Sequence, residues 1–330
     1  MKRFNLRSVT ILLTIIFGIS WFFFHGNLEM KEIHVAKAKE ANTIEGPPLH
    51  VAELPKTGLS EKTIPQKYLP DLEAKAAIII DASNGEVIYQ NNANEPLAPA
   101  SMSKMMTAYL LLENINKGKV HWKDPVKISA KSAQTEGSRI PVKTNDTLTV
   151  TDLFHALMIR SANNSAVALA EHMAKTEQDF VQIMNQKAKE LGLSDKTKFA
   201  NASGLQEPDG SETKMSAADV AKLAYHLIKD YPEILEVTHL RQTHLTFKNI
   251  PVTSTDEMLN TANKALYIEG MDGLKTGFTD SAGYCFTGTA KQGNKRIITV
   301  VMGTKSQTKR FTETHKLMTY GFQIVKFMNK

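Results

Sequence analysis

The apolar positions of this chain change period twice. Ala76-Ala-Ile-Ile-Ile80 and Val87-Ile-Tyr-Gln90 are short runs of strand-forming residues, parted by Asp81-Ala-Ser-Asn-Gly85. Two such runs around an Asn-Gly pair predict a β-hairpin, because Asn and Gly tolerate the positive φ of a tight turn. Over residues 101–114 the pattern becomes helical. Met105, Met106, Ala108, Tyr109, Leu110, Leu111 and Leu112 leave little polar face, so this helix is expected at the centre of the fold. Residues 126–150 read as short strands and loops. Helical spacing returns over 152–160, 165–175, 178–191 and 216–229, the last with Asp219 near its start. Strand character resumes over 284–291 and 296–301, separated by Gln292-Gly-Asn-Lys295 as a hairpin turn, and a last helix is expected over 308–327.

Strands, then helices, then strands and a helix predict an α/β protein of the α+β kind. Strands from both ends of the chain meet in one antiparallel sheet, and a helical block packs against it. No internal repeat is visible. The folded domain is expected over 74–330. Before it, Pro47, Pro48, Pro55, Pro65 and Pro70, with charges of both signs, make 27–73 a tether. Residues 1–26 carry Lys2, Arg3 and Arg7 ahead of an uncharged run of about 16 residues, Val9 to Phe24, a little short of a full span. Basic residues before an apolar run hold the N-terminus in the cytosol and send the rest across the membrane. An uncleaved anchor or a cleaved signal peptide follows, with the folded domain outside the cytoplasm. The small-x-small cleavage candidate, Ala36-Lys-Ala38, stands well beyond the apolar run.

Composition narrows the chemistry. The hydrophobic fraction of 42% and charged fraction of 22% are those of an ordinary globular protein. The net charge of +6 is spread along the chain, without the dense basic stripe of a nucleic-acid binder. Cys285 is the single cysteine, so no internal disulfide can form, and there is no His-Glu-x-x-His string or dense His/Asp/Glu cluster on which a metal mechanism would rest.

Three short runs carry the chemistry instead. Ser-x-x-Lys occurs as Ser101/Lys104, Ser211/Lys214 and Ser306/Lys309, but only Ser101 opens the apolar helix. Residues three apart share a helix face, so Lys104 stands over Ser101. A lysine can take a proton only if burial and a nearby cation depress its pKa, towards roughly 7–8 in tuned sites. The buried first turn supplies the burial and Lys275 the cation. Ser161-Ala-Asn163 falls at a corner between two expected helices, where the hydroxyl can pass a proton to a leaving nitrogen and the amide can hold a carbonyl. An isolated Ser-x-Asn is also a common helix cap. Lys-Thr-Gly occurs twice. Lys56-Thr-Gly58 completes Leu54-Pro-Lys-Thr-Gly58, the pattern sortases cut, yet it stands in the tether without an apolar tail and is read as coincidence. Lys275-Thr-Gly277 precedes a strand pair. There Lys275 and Thr276 can bind a carboxylate, and Gly277 admits a substrate backbone. The backbone N–H groups of Ser101 and Phe278 are candidate oxyanion-hole donors, each typically worth about 2.7–4 kcal/mol of barrier.

Those three motifs in that order are the signature of penicillin-binding proteins and serine β-lactamases. The longer strings APASMSKMMTAYLLLE, NNSAVALAEHMA, FANASGLQEPDG and MDGLKTGFTDSAGYCFTGTAK resemble the D-alanyl-D-alanine carboxypeptidases among the low-molecular-mass penicillin-binding proteins, over residues 74–327. The resemblance implies the serine β-lactamase/DD-peptidase-like fold and a cofactor-free acyl transfer. Ser101 would attack the penultimate D-Ala carbonyl of a peptidoglycan stem pentapeptide with Lys104 as base. Ser161 would aid departure of D-alanine, and water would hydrolyse the ester. Asn163, Lys275, Thr276, Gly277, Phe278 and Thr279 would bind substrate, and Arg310 on the last helix would help hold the terminal carboxylate. β-Lactams are the expected covalent inhibitors.

Departures leave alternatives. Ala162 replaces the glycine many relatives carry, and the β-rich domain and amphipathic C-terminal helix of many carboxypeptidases have no counterpart before Lys330. Some compact relatives cut cross-links as endopeptidases. A β-lactamase would need a deacylating carboxylate, and Asp256-Glu-Met-Leu-Asn260 resembles that loop only superficially, being close before Lys275 and far after Asn163. A non-catalytic penicillin-binding sensor would not need the intact nucleophile, base and hydroxyl.

Overall fold

The computed structural model describes residues 69–328. The N-terminal apolar run, most of the tether and Leu54–Gly58 lie outside the described residues. In chain order come β1 (Ala76–Asp81), β2 (Val87–Asn91), α1 (Lys104–Asn116), β3 (Pro125–Lys127), α2 (Ala130–Gln134), β4 (Thr147–Thr149), α3 (Val150–Met158), α4 (Asn163–Ala174), α5 (Glu177–Glu190), α6 (Ala217–Asp230) and α7 (Ile234–Thr238). Then follow β5 (Gln242–His244), β6 (Pro251–Thr253), β7 (Met271–Thr279), β8 (Gly283–Gln292), β9 (Lys295–Thr304) and α8 (Gln307–Met328).

The main sheet runs β2-β1-β9-β8-β7, antiparallel throughout. Strands from the two ends of the chain meet where Ile79 faces Thr299. β1 is buried along Ala76–Ile80, which explains its unbroken apolar run: a strand covered on both faces does not alternate. Its even residues, Ile78 and Ile80, join Ile298, Val300 and Met302 in the core shared with the helical block. Its odd face meets α8, where Ile79 and Ile297 lie against Gly321. Phe286 meets Phe311 edge-on at 5.3 Å on that same helix. The sheet is therefore sandwiched between α8 and the helical block, and α1 is the buried axis of that block, with Lys104 to Leu112 all enclosed.

Local chemistry sets the helix starts. Thr149, Thr176 and Ser216 each accept a hydrogen bond from the backbone N–H three residues on, a side-chain N-cap that satisfies an otherwise orphan donor. The turn before β2 needs Gly85 at φ +79°.

Three expectations are corrected or sharpened. Residues 126–150 contain the short helix α2 besides the β3–β4 ribbon; Ser129 caps it, too brief a segment to show a period. Lys275-Thr-Gly277 precedes the β8–β9 pair as expected, but it is not a connecting segment: it lies inside a further strand, β7, at the sheet's edge. The Ser101 helix opens as a 3-10 turn, Ala100–Ser103, with Ala100 at φ +48°.

Candidate active site

Four segments converge on one cleft of about 520 Å³. The 3-10 turn brings Ser101, and the corner between α3 and α4 brings Ser161 and Asn163. β7 lines one wall with Thr276, Gly277, Phe278 and Thr279, and the first turn of α8 adds Arg310. Lys104 and Lys275 lie just beneath the surface, bonded to Ser101 and Ser161 respectively. All ten residues singled out in the sequence thus meet at one place.

Lys104 is fully buried, and its Nζ lies 2.8 Å from Ser101 Oγ, 2.7 Å from Asn163 Oδ1 and 2.7 Å from the Ser203 carbonyl. The last two groups can only accept. A neutral amine has two N–H bonds and one lone pair, so two donations to those acceptors leave the lone pair facing the Ser101 hydroxyl. Burial, and second the Lys275 ammonium, push the Lys104 pKa well below the ordinary lysine value. The arrangement can therefore remove a proton from Ser101.

Lys275 Nζ donates to Ser161 Oγ at 2.8 Å and to the Thr276 carbonyl at 3.0 Å. Burial and then Arg310 lower its pKa to about 7, against the opposing pull of Asp256. Arg310 is nearly buried, donates from Nη1 to the Gly277 carbonyl at 3.3 Å, and keeps an Nε–H without a partner. Lys275 and Arg310 make this end of the cleft suited to an anion. Because β7 is an edge strand, one side of its backbone has no strand partner among the described residues and can pair with an extended peptide.

Backbone geometry holds the corners. Ala100 at φ +48° and Ser161 at φ +63° occupy a region that costs a residue with a side chain on the order of 1–3 kcal/mol. Gly204 and Gly277 let their segments close up on the turn that carries Ser101. A Cβ on Gly204 would stand 2.0 Å from the Ala100 carbonyl oxygen, and one on Gly277 would stand 2.6 Å from that of Pro99.

Several groups of the site were not singled out from the sequence. Ser203 contributes a carbonyl, which has no side-chain signature. The signal available was Asn201-Ala-Ser-Gly204, an Asx-type turn: Asn201 Oδ1 accepts from the backbone N–H of Ser203 at 3.1 Å and of Gly204 at 2.7 Å. Thr255 Oγ1 meets Thr276 Oγ1 at 2.6 Å across more than twenty residues of chain. The Asn163 amide, expected to hold a substrate carbonyl, is engaged at both ends, with Nδ2 donating to the Glu136 carbonyl at 2.7 Å.

A serine beside a buried lysine, a second serine against a second lysine, and an arginine at the end of an edge strand make an arrangement that could carry out serine acyl transfer. The family model for D-alanyl-D-alanine carboxypeptidase matches residues 61–306, and the chain belongs to that family. It is 39% identical over 253 residues to D-alanyl-D-alanine carboxypeptidase DacF of Bacillus subtilis, covering 76% of this chain and 62% of DacF, so it spans less than two thirds of that relative. The D-alanyl-D-alanine endopeptidase of Escherichia coli is 28% identical, over 76% of this chain and 78% of its own length. Among solved structures, penicillin-binding protein D2 of Listeria monocytogenes, in an ampicillin-bound form, superposes with a TM-score of 0.69 at 38% identity, covering 77% of this chain and all of that one. Among the described residues no helix is long and apolar enough to cross a membrane.

Proposed function

We propose that this protein is a serine-type D-Ala-D-Ala carboxypeptidase acting on peptidoglycan stem pentapeptides. The observation that carries the reading is Lys104 Nζ, held between Ser101 Oγ and two groups that only accept. Lys104 takes the Ser101 proton as Oγ bonds to the carbonyl carbon of the penultimate D-alanine. The carbonyl oxygen, now anionic, is received by the backbone N–H groups of Ser101 and Phe278. The C–N bond then breaks. The leaving amine gains the proton through Lys104 and Ser161, and D-alanine departs. Its carboxylate is held by Lys275, Thr276 and Arg310, while Gly277, Phe278 and Thr279 pair with the peptide ahead of the cut. Asn163 fixes Lys104. Water, deprotonated in turn, hydrolyses the Ser101 ester.

A β-lactam carries a strained amide and a carboxylate in similar relation, so penicillins acylate the same serine. Lys2, Arg3 and Arg7 ahead of the apolar run Val9 to Phe24 support a location on the outer side of a membrane, where this substrate lies. No metal, cofactor or nucleic acid enters the reaction.

The relationship to the E. coli endopeptidase keeps a second reading: cleavage of D-Ala cross-links between stems. Mass spectrometry of pentapeptide monomers and cross-linked dimers after incubation with the protein separates the two. Loss of one alanine from monomers is expected. Dimers split while pentapeptides persist would mean an endopeptidase, and alanine release by Ser101→Ala would overturn the mechanism altogether.

A further inference from the structure

Two acceptors orient Lys104: the Ser203 carbonyl and Asn163 Oδ1, each 2.7 Å from Nζ. They come from separate segments, and each segment is held in turn. Just ahead of Ser203, both backbone groups of Ala202 are taken. Its N–H donates to Glu177 Oε1 at 3.0 Å, and its carbonyl accepts from Thr107 Oγ1 of α1 at 2.7 Å. Asn163 is held by the chain that leaves α2. Its N–H donates to the Ser138 carbonyl at 2.6 Å, and its Nδ2 to the Glu136 carbonyl at 2.7 Å. α2 is tied down by Lys131, whose Nζ pairs with Glu177 Oε2 at 2.7 Å, and by Ser132 Oγ, which donates to the Asn164 carbonyl at 2.8 Å.

One carboxylate thus reaches both segments. Glu177 is the first residue of α5, where a glutamate is ordinarily a solvated charge favoured by the helix dipole. Here it is buried, and Thr176 already caps the helix. Its two oxygens engage Ala202 and Lys131, neither of them in α5. A buried carboxylate is unfavourable unless it is paired and hydrogen-bonded, and the start of α5 does not require one.

We propose that Glu177 is a positioning residue for acyl transfer: its two carboxylate oxygens fix, through Ala202 and Lys131, the two acceptors that turn the Lys104 lone pair towards Ser101. The inference rests on the reading that Lys104 is the base. Of the charged groups involved, Lys131 of α2 pairs with Glu177, and Lys275 of β7 acts on Lys104. If the Ser203 carbonyl slackens, the Lys104 ammonium loses more than the amine does, because hydrogen bonds from a charged donor are roughly twice as strong. The base then sheds its proton more readily but is worse aimed. The acid limb of the rate profile moves to lower pH while the plateau falls.

The test is stopped-flow acylation by benzylpenicillin across pH in the wild-type protein, Glu177→Gln, Glu177→Leu and Lys131→Met. Each rate is normalised to the fraction of protein finally acylated, so that unfolded molecules drop out. Glu177→Leu is expected to lower the plateau on the order of fivefold, the worth of one net hydrogen bond. It is also expected to move the acid limb down by about half a pH unit, a threefold change in the neutral fraction. Glu177→Gln keeps an oxygen for the Ala202 N–H and is expected to recover most of both effects. A limb that moves as far in Glu177→Gln as in Glu177→Leu would mean that the charge of Glu177 acts on Lys104 through space, and the proposal falls. Lys131→Met, at a half-exposed position, decides the matter if the leucine variant folds poorly. Loosening α2 lowers the limb, whereas loss of a positive charge alone raises it, so an unmoved or raised limb overturns the proposal. A wild-type protein that benzylpenicillin acylates, with variants whose profiles superimpose on it, sinks this inference alone; a wild-type protein that it does not acylate sinks the carboxypeptidase reading as well.

Discussion

Asn163 Oδ1 and the Ser203 carbonyl both lie 2.7 Å from Lys104 Nζ, and neither has a proton to give. Their neutrality matters as much as their position. Asn163→Asp keeps the shape but sets an anion against Lys104, favouring the ammonium and repelling the Glu136 carbonyl now held by Nδ2. Opposite charge at that distance raises a lysine pKa, and each unit is about tenfold in the neutral fraction. The expected outcome is an acid limb of penicillin acylation displaced to higher pH, with slower acylation at neutrality; an unmoved limb would count against Lys104 as the base. In the wild-type protein the rate should climb as Lys104 loses its proton and fall above about 7 as Lys275 loses its own, a bell read by stopped-flow acylation against pH. How Ser101 and Lys104 meet was legible in the sequence, because a three-residue interval on an apolar helix fixes a shared face. The Ser203 carbonyl and the Thr255 hydroxyl were not. One acts through the backbone, and the other through a contact that only the tertiary fold creates.

Element by element, the legible parts were those with an uninterrupted period. The β1–β2 hairpin, α1 and the β8–β9 pair carry long apolar runs and follow the sequence reading to within a few residues. β7 was missed as a strand because Met271-Asp-Gly-Leu-Lys-Thr-Gly has two glycines and two charges where a central strand would be apolar. At an edge beside a cleft those residues have other work, and Gly277 shows what it is. Its missing side chain lets β7 pack against the turn that carries Ser101, since a Cβ would meet the Pro99 oxygen at 2.6 Å and Ala100 Cβ at 3.3 Å. Gly277→Ala is expected to move β7 outward, cutting penicillin acylation by more than tenfold with only a small fall in melting temperature. Gly204→Ala sits at φ +77° as well as 2.0 Å from the Ala100 oxygen. Strain and overlap together predict a loss of about 1–3 kcal/mol or more in denaturant unfolding. A full-stability Gly204→Ala variant would contradict the close approach.

On the scale of the molecule, the cleft exists because two layers with different partners are pinned together. The helical block brings Ser161, Asn163 and Ser203; the sheet brings Lys275 and Thr276; α8, on the sheet's other face, brings Arg310 round its edge. Whatever fixes α8 therefore fixes the anion-receiving end of the site. Part of that fixing comes from the segment that precedes β1. The Glu73 backbone N–H donates to Glu313 Oε2 at 3.1 Å, the Glu73 carboxylate pairs with Lys309, and Lys316 Nζ donates to the Asp71 carbonyl at 3.2 Å. Glu313 is fully buried one turn after Arg310, and Lys316 answers its charge at 3.1 Å. Removing one partner of a buried charge costs more than an exposed ion pair would, on the order of 1–3 kcal/mol. A chain beginning at residue 76 is therefore expected to melt several degrees below one beginning at 69. It is also expected to lose more reactivity towards benzylpenicillin than towards a neutral ester, because the loosened helix carries Arg310 and not Ser101. Equal losses with both donors would mean that the segment supports the fold as a whole and leaves α8 where it was.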